Sequence, residues 1–453
     1  MDKTTEALAN YVTSLRYEDL TARAVQETKR HIIDSLGCAM AGYKSKAAAI
    51  ARRLAANSTG TPAAHLLGDG RNTTMEMAAF ANGVLVRYLD ANDSYMSVGS
   101  GHPSDLFAAV LAAADALGAS CKDLILATVA GYEVFGGLAD QVPLRERGWD
   151  QGAFIAPAAA AGVGVLLGLT FEEMANALAI AVTANVPTRQ TRAGELPMWK
   201  GSATPAAARS GLFAAQLATE GMTGPTAAFE GRHGFWEQVT GAFKLGTLGG
   251  KDKSFAIERS NLKFFPTEYH SQAPLWTCLA LRDTVKFEEI TAINVQTYWR
   301  AFSEIGSEPA KWDPQTRETA DHSLPYLLAV AFRDGRITPA IFEPSRFLDP
   351  TLRPFMARIH IVENPELTRQ FPNSLTSEIE IITRTGQRLV ERTEFPKGHA
   401  RNPMTDADVE TKFRDFCGAV LQPSQIDAAL RALWHLEKIP NAGTVIDLFR
   451  VGE

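Results

Sequence analysis

Between residues 88 and 105 the chain reads Tyr-Leu-Asp-Ala-Asn-Asp-Ser-Tyr-Met-Ser-Val-Gly-Ser-Gly-His-Pro-Ser-Asp. Asp90, Asp93, Ser94 and His102 bring carboxylates, a hydroxyl and an imidazole into one segment, the side chains of general acid–base chemistry. Each also has a plainer use, as a helix cap or loop residue. Two observations favour chemistry. A helix–helix connection needs only a few residues, and this one is far longer. Asp90 and Asp93 also close a helical pattern, where the backbone dipole is negative and disfavours carboxylates.

Cations and further imidazoles recur along the chain. Lys200, in Met198-Trp-Lys-Gly-Ser-Ala203, stands at the entrance of an alanine-rich helix. A lysine beside a helix N-terminus makes an anion site, and Arg189 and Arg192 just upstream could serve the same anion. Lys263-Phe-Phe-Pro-Thr-Glu-Tyr-His-Ser-Gln272 sets Lys263, a glutamate and His270 in a turn-forming segment. Thr319-Ala-Asp-His-Ser-Leu-Pro-Tyr326 puts His322 before an apolar helix and Tyr326 one turn inside it. Gly148-Trp-Asp-Gln151 precedes another helix. The set suits a small substrate with several carboxylates, handled by acid–base steps. Taking a proton α to a carboxylate builds charge on that carboxylate, which fixed cations stabilise.

Several classes are excluded. A formal net charge of -6 leaves no basic footprint for nucleic acid. No apolar run approaches the roughly 20 residues of a membrane span, and no basic-then-apolar leader opens the chain. The four cysteines, Cys38, Cys121, Cys278 and Cys417, form no CxxC, which argues against zinc-ribbon and local iron–sulfur motifs and suits a reducing, cytoplasmic setting. Neither GxGxxG, GxxxxGK[ST] nor GxSxG is present.

The elements that must position these groups fall into two kinds. To about residue 249 the pattern is helix after helix. Thr21 caps one that is expected to end at Leu36, with Gly37 beyond it. Residues 73–90, 106–117 and 203–220 form others, and Thr170-Phe-Glu-Glu173 is a capping box for a helix through Ala184. A glycine-rich break follows at 245–253. Strands then appear around Ile293, Val295 and Thr297, around Ile359 and Ile361, and as a hairpin on both sides of Thr385-Gly-Gln387. Helices return after Pro403. The fold class is therefore mainly α: a large all-α helical domain, residues 1–262 completed by 404–453, plus a smaller α+β lid domain, 263–403.

In these motifs the chain resembles the MmgE/PrpD family, which includes 2-methylcitrate dehydratases, cis-aconitate decarboxylases and iminodisuccinate epimerases. Leu89-Asp-Ala-Asn-Asp-Ser94, Gly101-His-Pro-Ser104, Trp199-Lys-Gly201, Thr223-Gly-Pro225 with Phe229-Glu-Gly231, Phe265-Pro-Thr-Glu-Tyr-His-Ser-Gln272 and Asp321-His-Ser323 carry the resemblance, which runs nearly end to end. It implies a homodimer and a metal-free, cofactor-free site between the domains. It places site positions on Asp90, Ser94, His102, Lys200, Lys263, Tyr326 and His270, with Asp93 and His322 in family motifs. Where many relatives carry a histidine, this chain has Gln151. The expectation is a hydro-lyase for a 2-methylcitrate-like acid. The alternatives are decarboxylation of cis-aconitate, epimerisation of an amino-dicarboxylate, or binding of a polycarboxylate without turnover.

Overall fold

Alanine and glycine at the contact positions let helices of the larger unit approach closely. A computed structural model describes residues 1–250 and 252–452, so Lys251 of the glycine-rich break lies outside the described residues. The helices are α1 (Lys3–Ser14), α2 (Ala22–Gly42), α3 (Lys46–Ala55), α4 (Met75–Arg87), α5 (Phe107–Ala116), α6 (Cys121–Ala139), α7 (Gly152–Leu166), α8 (Phe171–Ala184) and α9 (Ala203–Thr219). α7 packs on α6, α8 and α9, and α4 on α2, α5 and α9. A Cβ added at Gly211 of α9 would lie 2.1 Å from the Ala156 carbonyl of α7. α5 is buried along nearly its whole length.

Caps read from sequence are in place. Thr21 Oγ1 accepts from Ala24 N at 2.9 Å. Thr170 and Glu173 form the reciprocal box, with Thr170 Oγ1 donating to Glu173 at 2.8 Å. One stop signal is corrected. α2 does not end at Leu36 but runs to Gly42. Gly37 is interior because the C-terminal helix Asp406–Cys417 passes there: a Cβ would meet Phe413 Cδ2 at 3.2 Å. Lys412 of that helix is buried and donates to Asp34 Oδ1 of α2 at 2.6 Å and to the Ala91 carbonyl at 2.7 Å.

The chain divides into two units: Met1–Thr191 with Gly201–Leu262 and Thr405–Glu453, and Arg192–Lys200 with Lys263–Met404. Sequence assigned 192–200 to the first domain. The segment belongs with the second because Leu196 N donates to Thr319 Oγ1 at 3.0 Å, and Thr316 and Thr319 both donate to Glu195 at 2.7 Å.

The first unit also carries a short antiparallel pair, β1 (Ala64–His65) and β2 (Asn72–Thr73). The second unit is built on a four-stranded sheet of β3 (Ile290–Thr297), β4 (Ile359–Glu363), β5 (Ser377–Thr383) and β6 (Arg388–Thr393), ordered β4-β3-β5-β6. β3 runs parallel to β4 and antiparallel to β5. Ile293 and Val295 face Ile359 and Ile361 on one side and Ile381 and Ile379 on the other. These side chains are buried in one cluster with the helix Leu324–Asp334. The β5–β6 hairpin turns through Gly386 at φ 81°, where a side chain would be strained. β6 buries none of its side chains, and its charged residues protect the sheet edge. Among the described residues no helix is long and apolar enough to cross a membrane.

The α7–α9 contact generates a prediction. Gly211→Ala should destabilise the protein by about 2 kcal/mol through overpacking, read as a lower urea midpoint. An unchanged midpoint would show that the helices part without cost.

Candidate active site

The segment after α4 is held by buried charge. Arg87, the last residue of the helix, pairs through Nη1 with Asp90 and through Nε with Asp105 at 3.4 Å. Arg87 and Asp90 are each 1% exposed. This cation offsets the cost of placing carboxylates at a helix C-terminus. Asp90 has φ 54°, a left-handed conformation uncommon for a residue with a side chain. Asn92 Nδ2 donates at 2.8 Å to both Ser104 Oγ and Asp105 Oδ1, closing the loop on the first turn after His102.

His102 Nδ1 lies 2.6 Å from the main-chain carbonyl of Asp93. A carbonyl only accepts, so Nδ1 carries the hydrogen and the neutral ring presents its lone pair at Nε2. Nε2 is 3.8 Å from Asp90 Oδ1. The His102 amide donates to Gln151 Oε1 at 2.5 Å. Gln151 Nε2 is buried without a hydrogen-bond partner among the described residues.

Asp93 supports this arrangement. Its Oδ1 accepts from Ser104 Oγ at 2.5 Å and Ser104 N at 3.1 Å, and its Oδ2 from Tyr132 OH at 2.8 Å. Burial pushes its carboxyl above the usual range, opposed by His31, Ser104 and Tyr132. Ser94 exchanges main-chain bonds with Asn261 at 2.8 Å each way, and its hydroxyl donates to Met96 Sδ at 3.4 Å.

In the second unit, cations converge on Asp321. Lys200 Nζ donates to its two oxygens at 3.1 and 3.3 Å, Arg317 Nη1 to Oδ2 at 3.0 Å, and His322 Nδ1 engages Oδ1. Sequence assigned Lys200 to a helix N-terminus awaiting an anion. In the structure its Nζ is held by an internal carboxylate, Asp321. Burial would raise the Asp321 carboxyl, but Lys200, His322 and Arg317 outweigh it and hold it below the usual range. Lys311, also buried, pairs with Glu308 at 3.6 Å, and burial draws its ammonium below the ordinary lysine value.

His270 follows Glu268, whose Oε2 accepts the His270 amide at 2.6 Å. Its Nδ1 lies 2.6 Å from Tyr298 OH, and its Nε2 lies 3.9 Å from Glu268 Oε1. Imidazole and phenol can each donate or accept, so this bond forms with either tautomer. Lys263 is fully buried beside this segment, and Arg192 is half-buried. Tyr326 occupies the core of the second unit, where its hydroxyl donates to the Ile341 carbonyl and burial pushes the phenol up. That environment is structural.

The structure thus gathers Asp90, Asp93, Ser94, His102 and Gln151 in one unit, and Lys200, Lys263, His270 and His322 in the other. Sequence reasoning missed His31, Arg87, Tyr132, Arg317 and Asp321 as participants. Arg87 had a local signal in its i,i+3 spacing to Asp90, and Arg317 in its i,i+4 spacing to Asp321.

Comparison with known proteins covers most of the chain. Residues 6–247 match the MmgE/PrpD N-terminal domain and residues 265–436 the MmgE/PrpD C-terminal domain. A 2-methylcitrate dehydratase of Cupriavidus necator is 27% identical over 455 residues, covering 94% of this chain and 92% of that protein. The cis-aconitate decarboxylase of Homo sapiens is 26% identical over 473 residues, 98% of this chain and 94% of its own. A fungal alkylcitrate dehydratase, phiI, is 28% identical over 453 residues, 91% and 87% respectively.

The Asp321 group sets a pH dependence. Its folded carboxyl lies below the unfolded value of about 4, so its stabilisation is complete above that value and lost as pH falls through the folded one. Asp321→Asn leaves Lys200 and Arg317 without their carboxylate and should cost about 3 kcal/mol at neutral pH. Denaturant melts should show that gap narrowing below about pH 4. A gap constant with pH would show that Asp321 carries no such charge.

Proposed function

Because the chain belongs to the MmgE/PrpD family, we propose that it is a lyase removing water from a small polycarboxylate, a 2-methylcitrate-like acid before others. The names of its relatives support this class of reaction. The observation that carries the reading is the His102 tautomer. With Nδ1–H given to the Asp93 carbonyl, Nε2 is the atom that accepts a proton, and Asp90 stabilises the imidazolium formed.

The step balances as follows. The C–H electrons form the carbon–carbon double bond as His102 Nε2 takes the α-proton. The C–O bond breaks towards oxygen, and the hydroxyl leaves as water with a proton from an acid. We assign that role to His270, whose ring Tyr298 holds at Nδ1 and whose Nε2 faces Glu268. Lys263, Arg192 and Lys200, the last oriented by its bonds to Asp321, hold substrate carboxylates and stabilise the charge developing on them. In this reading side chains of the chain itself supply base, acid and cations.

Purified protein treated with a chelator is offered 2-methylcitrate, citrate and cis-aconitate, with products read by mass spectrometry. Loss of water is expected. Release of carbon dioxide instead would assign decarboxylation, and deuterium uptake without loss of mass would assign epimerisation. His102→Asn should lower kcat by about a thousandfold while ligand-induced stabilisation survives. If wild type turns over none of the acids yet is stabilised by them, the chain is a binding protein and the lyase reading fails.

A further inference from the structure

His31 sits in the middle of α2, 2% exposed. Its Nδ1 lies 2.8 Å from the Glu27 carbonyl one turn earlier, so Nδ1 carries a hydrogen. Nε2 is buried with no hydrogen-bond partner among the described residues, and it faces Asp93 Oδ2 at 3.9 Å. The ring packs edge-on against Tyr132, which donates to that same Oδ2. If His31 were neutral and Asp93 ionised, two lone pairs would face each other in a dry interior. A buried acceptor left unmade costs about 1–3 kcal/mol. One proton between them removes the conflict, as imidazolium with carboxylate or as imidazole with carboxylic acid.

We propose that His31 is a positioning residue for His102: it shares one buried proton with Asp93, whose main-chain carbonyl fixes the His102 tautomer. The link is covalent on one side and geometric on the other. Ser104, Tyr132 and His31 clamp the Asp93 carboxylate from three elements. The clamped residue then presents its carbonyl to His102 Nδ1 at 2.6 Å. The other charged groups packed around the pair are themselves matched: Asp34 by Lys412, and Asp105 and Asp90 by Arg87. The shared proton is therefore specific to His31 and Asp93. This inference rests on His102 being the reacting imidazole.

The test uses the full-length chain with 15N-labelled histidine. In wild type His102 should show a single Nδ1–H tautomer. His31→Gln can still hydrogen-bond Asp93 but cannot take its proton. It should lower kcat about tenfold with KM little changed, and His102 should populate both tautomers. The acid limb of kcat should move up in pH, because without the shared proton the Asp93 carboxylate charge near His102 is no longer cancelled. A merely structural role would lower the melting temperature and leave tautomer and limb as in wild type; that result overturns the proposal. If His31→Gln does not fold, the wild-type spectrum decides, and a wild-type His102 that populates both tautomers overturns it. A wild type inactive on every acid would remove the lyase reading, and the tautomer comparison would still judge His31.

Discussion

A hydrogen bond from His102 Nδ1 to the main-chain carbonyl of Asp93 organises the polar segment of the first unit. Because the acceptor is backbone, the tautomer of the imidazole depends on the conformation of residues 90–94 rather than on one side chain. The segment is tied down accordingly. Asp90 is held in a left-handed conformation that costs on the order of 1 kcal/mol, and the buried ion pair to Arg87 keeps it there. Lys412 reaches across from the helix Asp406–Cys417 to the Ala91 carbonyl. A looser loop would let the carbonyl swing and the ring change tautomer.

Both units answer buried carboxylates with fixed cations, but to different ends. Arg87 bridges Asp90 and Asp105 and so stiffens a loop. Asp321 gathers Lys200, Arg317 and His322 and so fixes where cationic groups stand. Such buried pairs add little net stability against an apolar alternative, yet losing one partner is severe because the other is left unanswered. What they supply is fixed orientation: each cation stands where its carboxylate holds it.

The legibility of these features in sequence follows from the range of each interaction. The capping box at Thr170 and Glu173 and the hairpin around Gly386 are local, and both were readable. Gly37 resembled a helix stop because its partner, Phe413, lies at the far end of the chain. Lys200 resembled an open anion site because Asp321 lies 121 residues away. His102 and His270 stood out because they sit in dense polar motifs. His31 did not, because one histidine in an amphipathic helix looks like any satisfied core residue, and its meaning comes from Asp93 on another element. The fold class survives such errors because it rests on periodicity summed over many residues; a site rests on single contacts.

Gln151 brings these threads together. Its Oε1 is committed to the His102 amide at 2.5 Å, and Gly101 must lack a side chain because a Cβ there would meet that oxygen at 2.1 Å. The amide is thus locked with Nε2 as its remaining donor, buried and without a partner among the described residues. An amide cannot exchange protons near neutral pH, so this position can orient an oxygen acceptor but cannot act as base or acid. Of the groups around it, His102 is the one whose tautomer the main chain fixes, with its lone pair at Nε2.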